Sequence, residues 1–114
     1  MRSDRDRLID ILEAIEKIER YTGRGKDAFD SDELLQVWII YHLQTVGEAA
    51  SKFDRDFRQS HSEVPWTRIV AMRNILVHDY FAVDLDEVWV AAKRDIPRLK
   101  NQIQAILTKL SSAL

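Results

Sequence analysis

The sequence contains no cysteine, only two prolines and only three glycines among its 114 residues. Without cysteine, disulfides, thiolate metal ligands and thiol nucleophiles are excluded. So few prolines and glycines argue against a β-sandwich or barrel, whose many tight turns consume both residues. No apolar run approaches the roughly 20 residues that a membrane-spanning helix needs. The charged start Met1-Arg2-Ser3-Asp4-Arg5-Asp6-Arg7 leads into no signal-peptide core. Neither sign of charge dominates: 17 Lys+Arg stand against 19 Asp+Glu, a formal net charge of −2. That balance neither requires nor forbids a nucleic-acid partner, because a local basic cleft can sit on a mildly acidic protein. Hydrophobic residues make up 46%, enough for one packed core, and the length suits a single domain over residues 1–114. The expectation is a soluble cytoplasmic protein with no membrane segment.

Helical periodicity dominates the chain. From about Ser3 to Tyr21, Leu8, Ile11, Leu12, Ile15 and Ile18 form one apolar stripe. Glu13–Lys17 and Glu16–Arg20 support it as i,i+4 pairs in the favourable order. Thr22-Gly23-Arg24-Gly25 ends this helix, with glycine suited to a left-handed cap. A second helix starts at Asp30 or Ser31, with Asp32 and Glu33 in its first turn, where the helix dipole favours acids. Leu34, Leu35, Val37, Trp38, Ile39, Ile40, Tyr41 and Leu43 leave this helix hardly any polar face. In so small a domain, part of the cover such a helix needs is expected from a second subunit. Residues 54–64 read as a frayed helix end and a loop. Pro65 sets up a third helix from Trp66 to about His78, and Asp84 is suited to cap another from Leu85. Pro97 then either kinks one long helix or lies in the first turn of a new one capped by Asp95. The predicted fold is an all-α, four- to five-helix up-and-down bundle that forms a homodimer.

Candidate chemistry is sparse. Neither a G-x-G-x-x-G nor a G-x-x-x-x-G-K loop is present. The histidines His42, His61 and His78 are far apart and form no His-x-x-x-His pair, so neither a metal site nor a cofactor is expected. One segment differs: Met72-Arg73-Asn74-Ile75-Leu76-Val77-His78-Asp79-Tyr80-Phe81 sets polar groups among apolar ones near a helix end. Asn74 and His78 share a helix face, whereas Arg73 and His78 lie about 140° apart around the axis. Two copies facing each other could bring both residue types together across a dyad. Histidine exchanges protons near its ordinary pKa of about 6.5, and arginine grips phosphate or stabilises developing charge. RNA supplies its own nucleophile, the 2′-hydroxyl beside each phosphodiester. Such groups could equally cap helix carbonyls and form salt bridges.

Arg73-x4-His78-x-Tyr80 resembles the R-x4-H-x-Y motif of HEPN domains, specifically the minimal HepT-like toxins. The resemblance spans nearly the whole chain. Residues Arg5 to Ile15 look like the family's opening helix, and Val46-Gly47-Glu48-Ala49-Ala50 looks like its (I/V)GEAA signature. Pro65-Trp66-Thr67-Arg68-Ile69 with Met72-Arg73-Asn74 is similar to its P-W-x-x-I-x-x-M-R-N block. Val83-Asp84-Leu85, Val88-Trp89 and Asp95-Ile96-Pro97 match its closing region. The resemblance implies a homodimeric helical bundle of HEPN type with paired motifs in a shared cleft, and metal-independent ribonuclease activity. It implies Arg73 and His78 as catalytic, with Asn74 supporting them. It further implies an MNT-type nucleotidyltransferase antitoxin as partner, which modifies Tyr80 by nucleotidylation and thereby sets charge and bulk beside Arg73.

One departure stands before the GEAA block, where many relatives carry an Arg-Asn-type pair and this chain has Tyr41-His42-Leu43. His42 is expected to be a satisfied buried or interface histidine, and Glu48 to be hydrogen-bonded or paired. A small basic patch around Arg55, Arg58, Arg68 and Arg73 would have to supply RNA affinity. The competing expectation is a noncatalytic HEPN module that binds nucleotide or RNA, or docks a nucleotidyltransferase.

Overall fold

The computed structural model describes residues 2–112. Its first helix, α1 (Asp4–Thr22), opens on a capping box: Ser3 Oγ accepts from the Asp6 N–H, and the Asp6 carboxylate accepts from the Ser3 N–H. The predicted stripe lies inward, with Leu8, Ile11, Ile15 and Ile18 fully buried. Each such side chain contributes about 1.5–3 kcal/mol of burial. Gly23 ends α1 in the ordinary right-handed region, contrary to the left-handed cap expected there. The positive φ of 91° belongs to Gly25, which starts the short helix α2 (Lys26–Ser31). Asp32, rather than Asp30 or Ser31, then caps α3 (Glu33–Ala50), its carboxylate accepting from the Leu34 and Leu35 N–H groups.

Two short helices appear where no separate helix was expected. In α2, Phe29 is buried against Trp89 and supplies the anchor. Residues 54–64 contain α4 (Arg55–Ser60), capped by Asp54 and held where Phe57 stacks on Phe53 at 4.4 Å. The helix α5 (Trp66–His78) has the predicted bounds and is followed by a 3-10 turn over Tyr80–Ala82. Asp84 caps α6 (Leu85–Val90) as expected, accepting from the Asp86 and Glu87 N–H groups.

Pro97 does not begin a separate, Asp95-capped helix. The chain stays helical through a π segment, Ala91–Asp95, into α7 (Ile96–Ser112). Proline lacks an N–H and its ring crowds the carbonyl four residues back, and a wider turn relieves that crowding. The Ile96 N–H accordingly reaches the Ala91 carbonyl. Asp95 instead pairs with Arg94 at 3.2 Å and lies 3.9 Å from Arg68.

The layers follow from these faces. α1 packs between α3 and α7, and α5 lies on the far side of α3. Arg5 meets Ser111 and Glu19 meets Lys100, so α1 and α7 run antiparallel. The result is the all-α bundle expected, built on four long helical stretches. No described helix is long and apolar enough to cross a membrane.

His42 is buried in α3 between the rings of Trp38 and Tyr41, with its Nδ1 at 2.8 Å from the Trp38 carbonyl oxygen. Burial pushes its pKa below the usual histidine range; the Trp38 carbonyl opposes that shift, and the nearby charges of Lys17 and Arg20 add to it. The unfolded chain therefore takes up this proton first, near pH 6.5, and stability drops as pH falls below that value. Thermal unfolding should show a midpoint that declines between pH 7 and 5, with a shallower decline in His42→Gln. Equal slopes for the two proteins would remove His42 from this account.

Candidate active site

The site is built where α3 and α5 come closest. The helices run antiparallel, with Gln44 donating from Nε2 to the Leu76 carbonyl at 3.1 Å and Gly47 lying opposite Arg73. A Cβ on Gly47 would stand 2.2 Å from Arg73 Cβ and 3.2 Å from the Ile69 carbonyl oxygen. Only glycine permits that approach without displacement. The close contact aims the next residue, Glu48, at the Arg73 guanidinium. Arg73 Nη2 sits 2.7 Å from Glu48 Oε2, and Nη1 donates to Asn74 Oδ1 at 2.9 Å. Glu48 also has Lys52 at 3.4 Å. Glu48 is thus paired, as expected, and its principal partner is Arg73.

The other motif residues lie further along. His78 is the last residue of α5 and is exposed. It lies about 7.5 Å along the axis from Arg73 and about 140° around it. Asn74 shares a face with His78 but hydrogen-bonds Arg73, so its carbonyl oxygen supports the guanidinium. Tyr80 follows in the 3-10 turn, half-exposed, with its ring edge-on to a fully exposed Phe81. The described residues of one chain therefore bring Arg73, Asn74 and Glu48 together but do not bring His78 into that group.

The surroundings are unusually apolar for solvent-facing surface. On α3, Leu34 is 82% exposed and Tyr41 61%, with Val37 on the same face. These residues and Glu48 fall in one strip along the helix. On α5, Ile75 and Val77 are exposed as well. Between α5 and the α6–α7 stretch lies an open groove of about 600 Å³, lined by residues including Met72, Ile75, Val83, Val90 and Leu99. Isolated exposed apolar residues are ordinary, whereas the strip of Leu34, Val37 and Tyr41 along α3 is a candidate interaction surface.

The expected basic patch is divided. Arg55, Arg58 and Arg68 line one open depression beside Trp66, and Arg73 is not part of its wall. Arg58 is partly engaged, donating to the Ala50 carbonyl at 3.1 Å, where it caps the end of α3. Among the described residues no three His, Asp or Glu side chains gather as a metal-binding cluster.

Sequence comparison identifies the family. The family profile described as Ribonuclease HepT-like matches residues 11–106. A Thermococcus cleftensis protein provisionally named ribonuclease HepT is 40% identical over 106 residues, covering 92% of this chain and 96% of its own. A Caldanaerobacter subterraneus protein provisionally named an RNase is 36% identical over 110 residues, covering 96% and 98%. A Methanocaldococcus jannaschii protein named as a gamma-glutamylcyclotransferase and, provisionally, an RNase is 40% identical over 101 residues, covering 88% of this chain. The match spans only 46% of that longer protein. No solved structure matches. With a matching profile over most of its length and full-length relatives at this identity, the chain belongs to the HepT-like ribonuclease family.

Proposed function

We propose that this protein is a metal-independent endoribonuclease that works as a homodimer, with Arg73 and His78 as its catalytic residues. The observation that carries this reading is the arrangement on α5. Arg73 is held with donors to spare, His78 is exposed beyond it, and one copy leaves them diverging beside an uncovered apolar surface. A second copy packed there by a twofold axis would set Arg73 against His78 of the partner subunit and bury the apolar residues. RNA then needs little more. Its 2′-hydroxyl attacks the adjacent phosphorus and gives up a proton to a base, while the 5′-oxygen leaves and takes a proton from an acid. One His78 serves both transfers, taking the 2′-hydroxyl proton and returning it to the departing 5′-oxygen. Arg73 stabilises the charge that builds on the non-bridging oxygens. The products are a 2′,3′-cyclic phosphate and a 5′-hydroxyl.

The test is a labelled RNA incubated with the protein in EDTA. Cleavage with cyclic phosphate ends is the expected result. Intact RNA across varied sequences, with a well-folded and unmodified dimer, would favour a noncatalytic binding module.

The same reading assigns the control of the enzyme. We infer a toxin–antitoxin pair in which an MNT-type nucleotidyltransferase transfers a nucleotidyl group to Tyr80. The half-exposed ring beyond the end of α5 supports this assignment. An added phosphate would bring negative charge to the mouth of the cleft and compete with RNA for Arg73. Tyr80→Phe should cleave nearly as well as the wild type and escape neutralisation by the transferase. Covalent neutralisation of that variant would show that the acceptor lies elsewhere.

A further inference from the structure

We propose that Glu48 is a positioning residue for the reaction: it holds the Arg73 guanidinium in the orientation that receives the scissile phosphate. The proposal rests on the ribonuclease reading above and adds a residue from a different helix to its machinery. An arginine has five N–H donors in a fixed plane. Glu48 and Asn74 occupy one on each Nη, at 2.7 and 2.9 Å, and three donors remain for an anion. A free arginine side chain gives up about 2 kcal/mol of rotamer freedom when it is fixed. Here two partners fix it before RNA arrives. The backbone helps define the pairing, since Gly47 removes the side chain that would otherwise separate α5 from α3.

Charge makes the role distinguishable. A carboxylate beside Arg73 weakens attraction for a phosphodiester, so Glu48 works against ground-state RNA affinity. Its contribution must then appear in the geometry of the transition state, where small misplacements are expensive. Glu48→Gln keeps the shape and removes the charge. It should lower kcat by about tenfold to a hundredfold while KM stays level or falls. Glu48→Asp, which retains the carboxylate, should recover part of the lost kcat. A merely structural residue would lower the melting temperature and leave both constants per folded molecule unchanged.

A second measurement does not depend on cleavage. Nitrogen-15 NMR of the Arg73 guanidinium should show hindered rotation in the wild type and averaged Nη signals in Glu48→Gln. Unchanged kcat in Glu48→Gln, or equal guanidinium mobility in both proteins, overturns the proposal. A wild type that cleaves no RNA while Arg73 is still restrained by Glu48 defeats the ribonuclease reading itself. The positioning role of Glu48 falls with it, although the contact stands.

Discussion

RNA cleavage by His78→Ala is expected to fall by about 10²–10⁴-fold, the usual contribution of a positioned acid or base, with the fold intact. His78 is exposed at the end of α5 and anchors nothing in the core. Its truncation should therefore cost less than about 1 kcal/mol, the scale of a helix-end charge interaction. Arg73→Ala should lose about 10²–10³-fold, as when one transition-state donor is removed. The two inactive variants together make a sharper experiment. If each site takes Arg73 from one subunit and His78 from the other, a mixed dimer retains one complete site. Refolding equal amounts together should then restore about a quarter of wild-type activity, since half the dimers are mixed and each has one of two sites. If both residues of a site came from one chain, every mixed dimer would stay inactive. Failure to recover activity in demonstrably mixed dimers would therefore dismiss the shared cleft.

Gly47→Ala should be the most damaging single methyl group that can be added to this surface. Its Cβ would stand 2.2 Å from Arg73 Cβ and 2.8 Å from Arg73 Cγ, distances that force movement. The other near atom is a backbone carbonyl of α5, which cannot swing aside as a side-chain tip can. The helices must separate, at a cost of about 1–3 kcal/mol for an overpacked contact. Alanine's better helix propensity returns up to about 1 kcal/mol, which leaves a net loss of up to about 2 kcal/mol when the full offset applies. The same separation carries Arg73 away from Glu48, and cleavage should drop even at temperatures where the variant is folded. Chemical denaturation gives the first quantity and RNA cleavage at low temperature the second. A variant as stable and active as the wild type would mean that α5 has freedom the packing does not suggest.

Much of this architecture was legible in the residues because local signals agreed with one another. α1 announced itself through one clean stripe, α5 through Pro65 and a run without breakers, and α6 through Asp84. The short helices were not legible. Each of α2 and α4 has only six residues, too few for a period, and each is fixed by one aromatic anchor whose pocket exists only in the tertiary fold. The π segment was hidden for a related reason: Pro97 signalled trouble, but whether a helix ends or widens there depends on what packs around it. The site was half legible. The divergence of Arg73 and His78 follows from helix geometry alone. The pairing of Glu48 with Arg73 does not, because it depends on the register of α3 against α5, set by the missing side chain at Gly47. Conversely, the sequence suggested a single basic patch, and the fold separates Arg73 from the other three arginines.

The helix that carries Arg73 and His78 is fastened mainly along one side. α5 packs on α3, while a groove separates it from the α6–α7 stretch, and only Trp66 and Leu76 along it are buried. Local cohesion there is set by one seam, so α5 is expected to loosen before α1, α3 and α7 unfold. A second copy closing over the exposed residues would tie that helix down as it completes the site. Assembly and catalytic competence would then be one event, and a dilute, unpaired chain would be both looser and harmless.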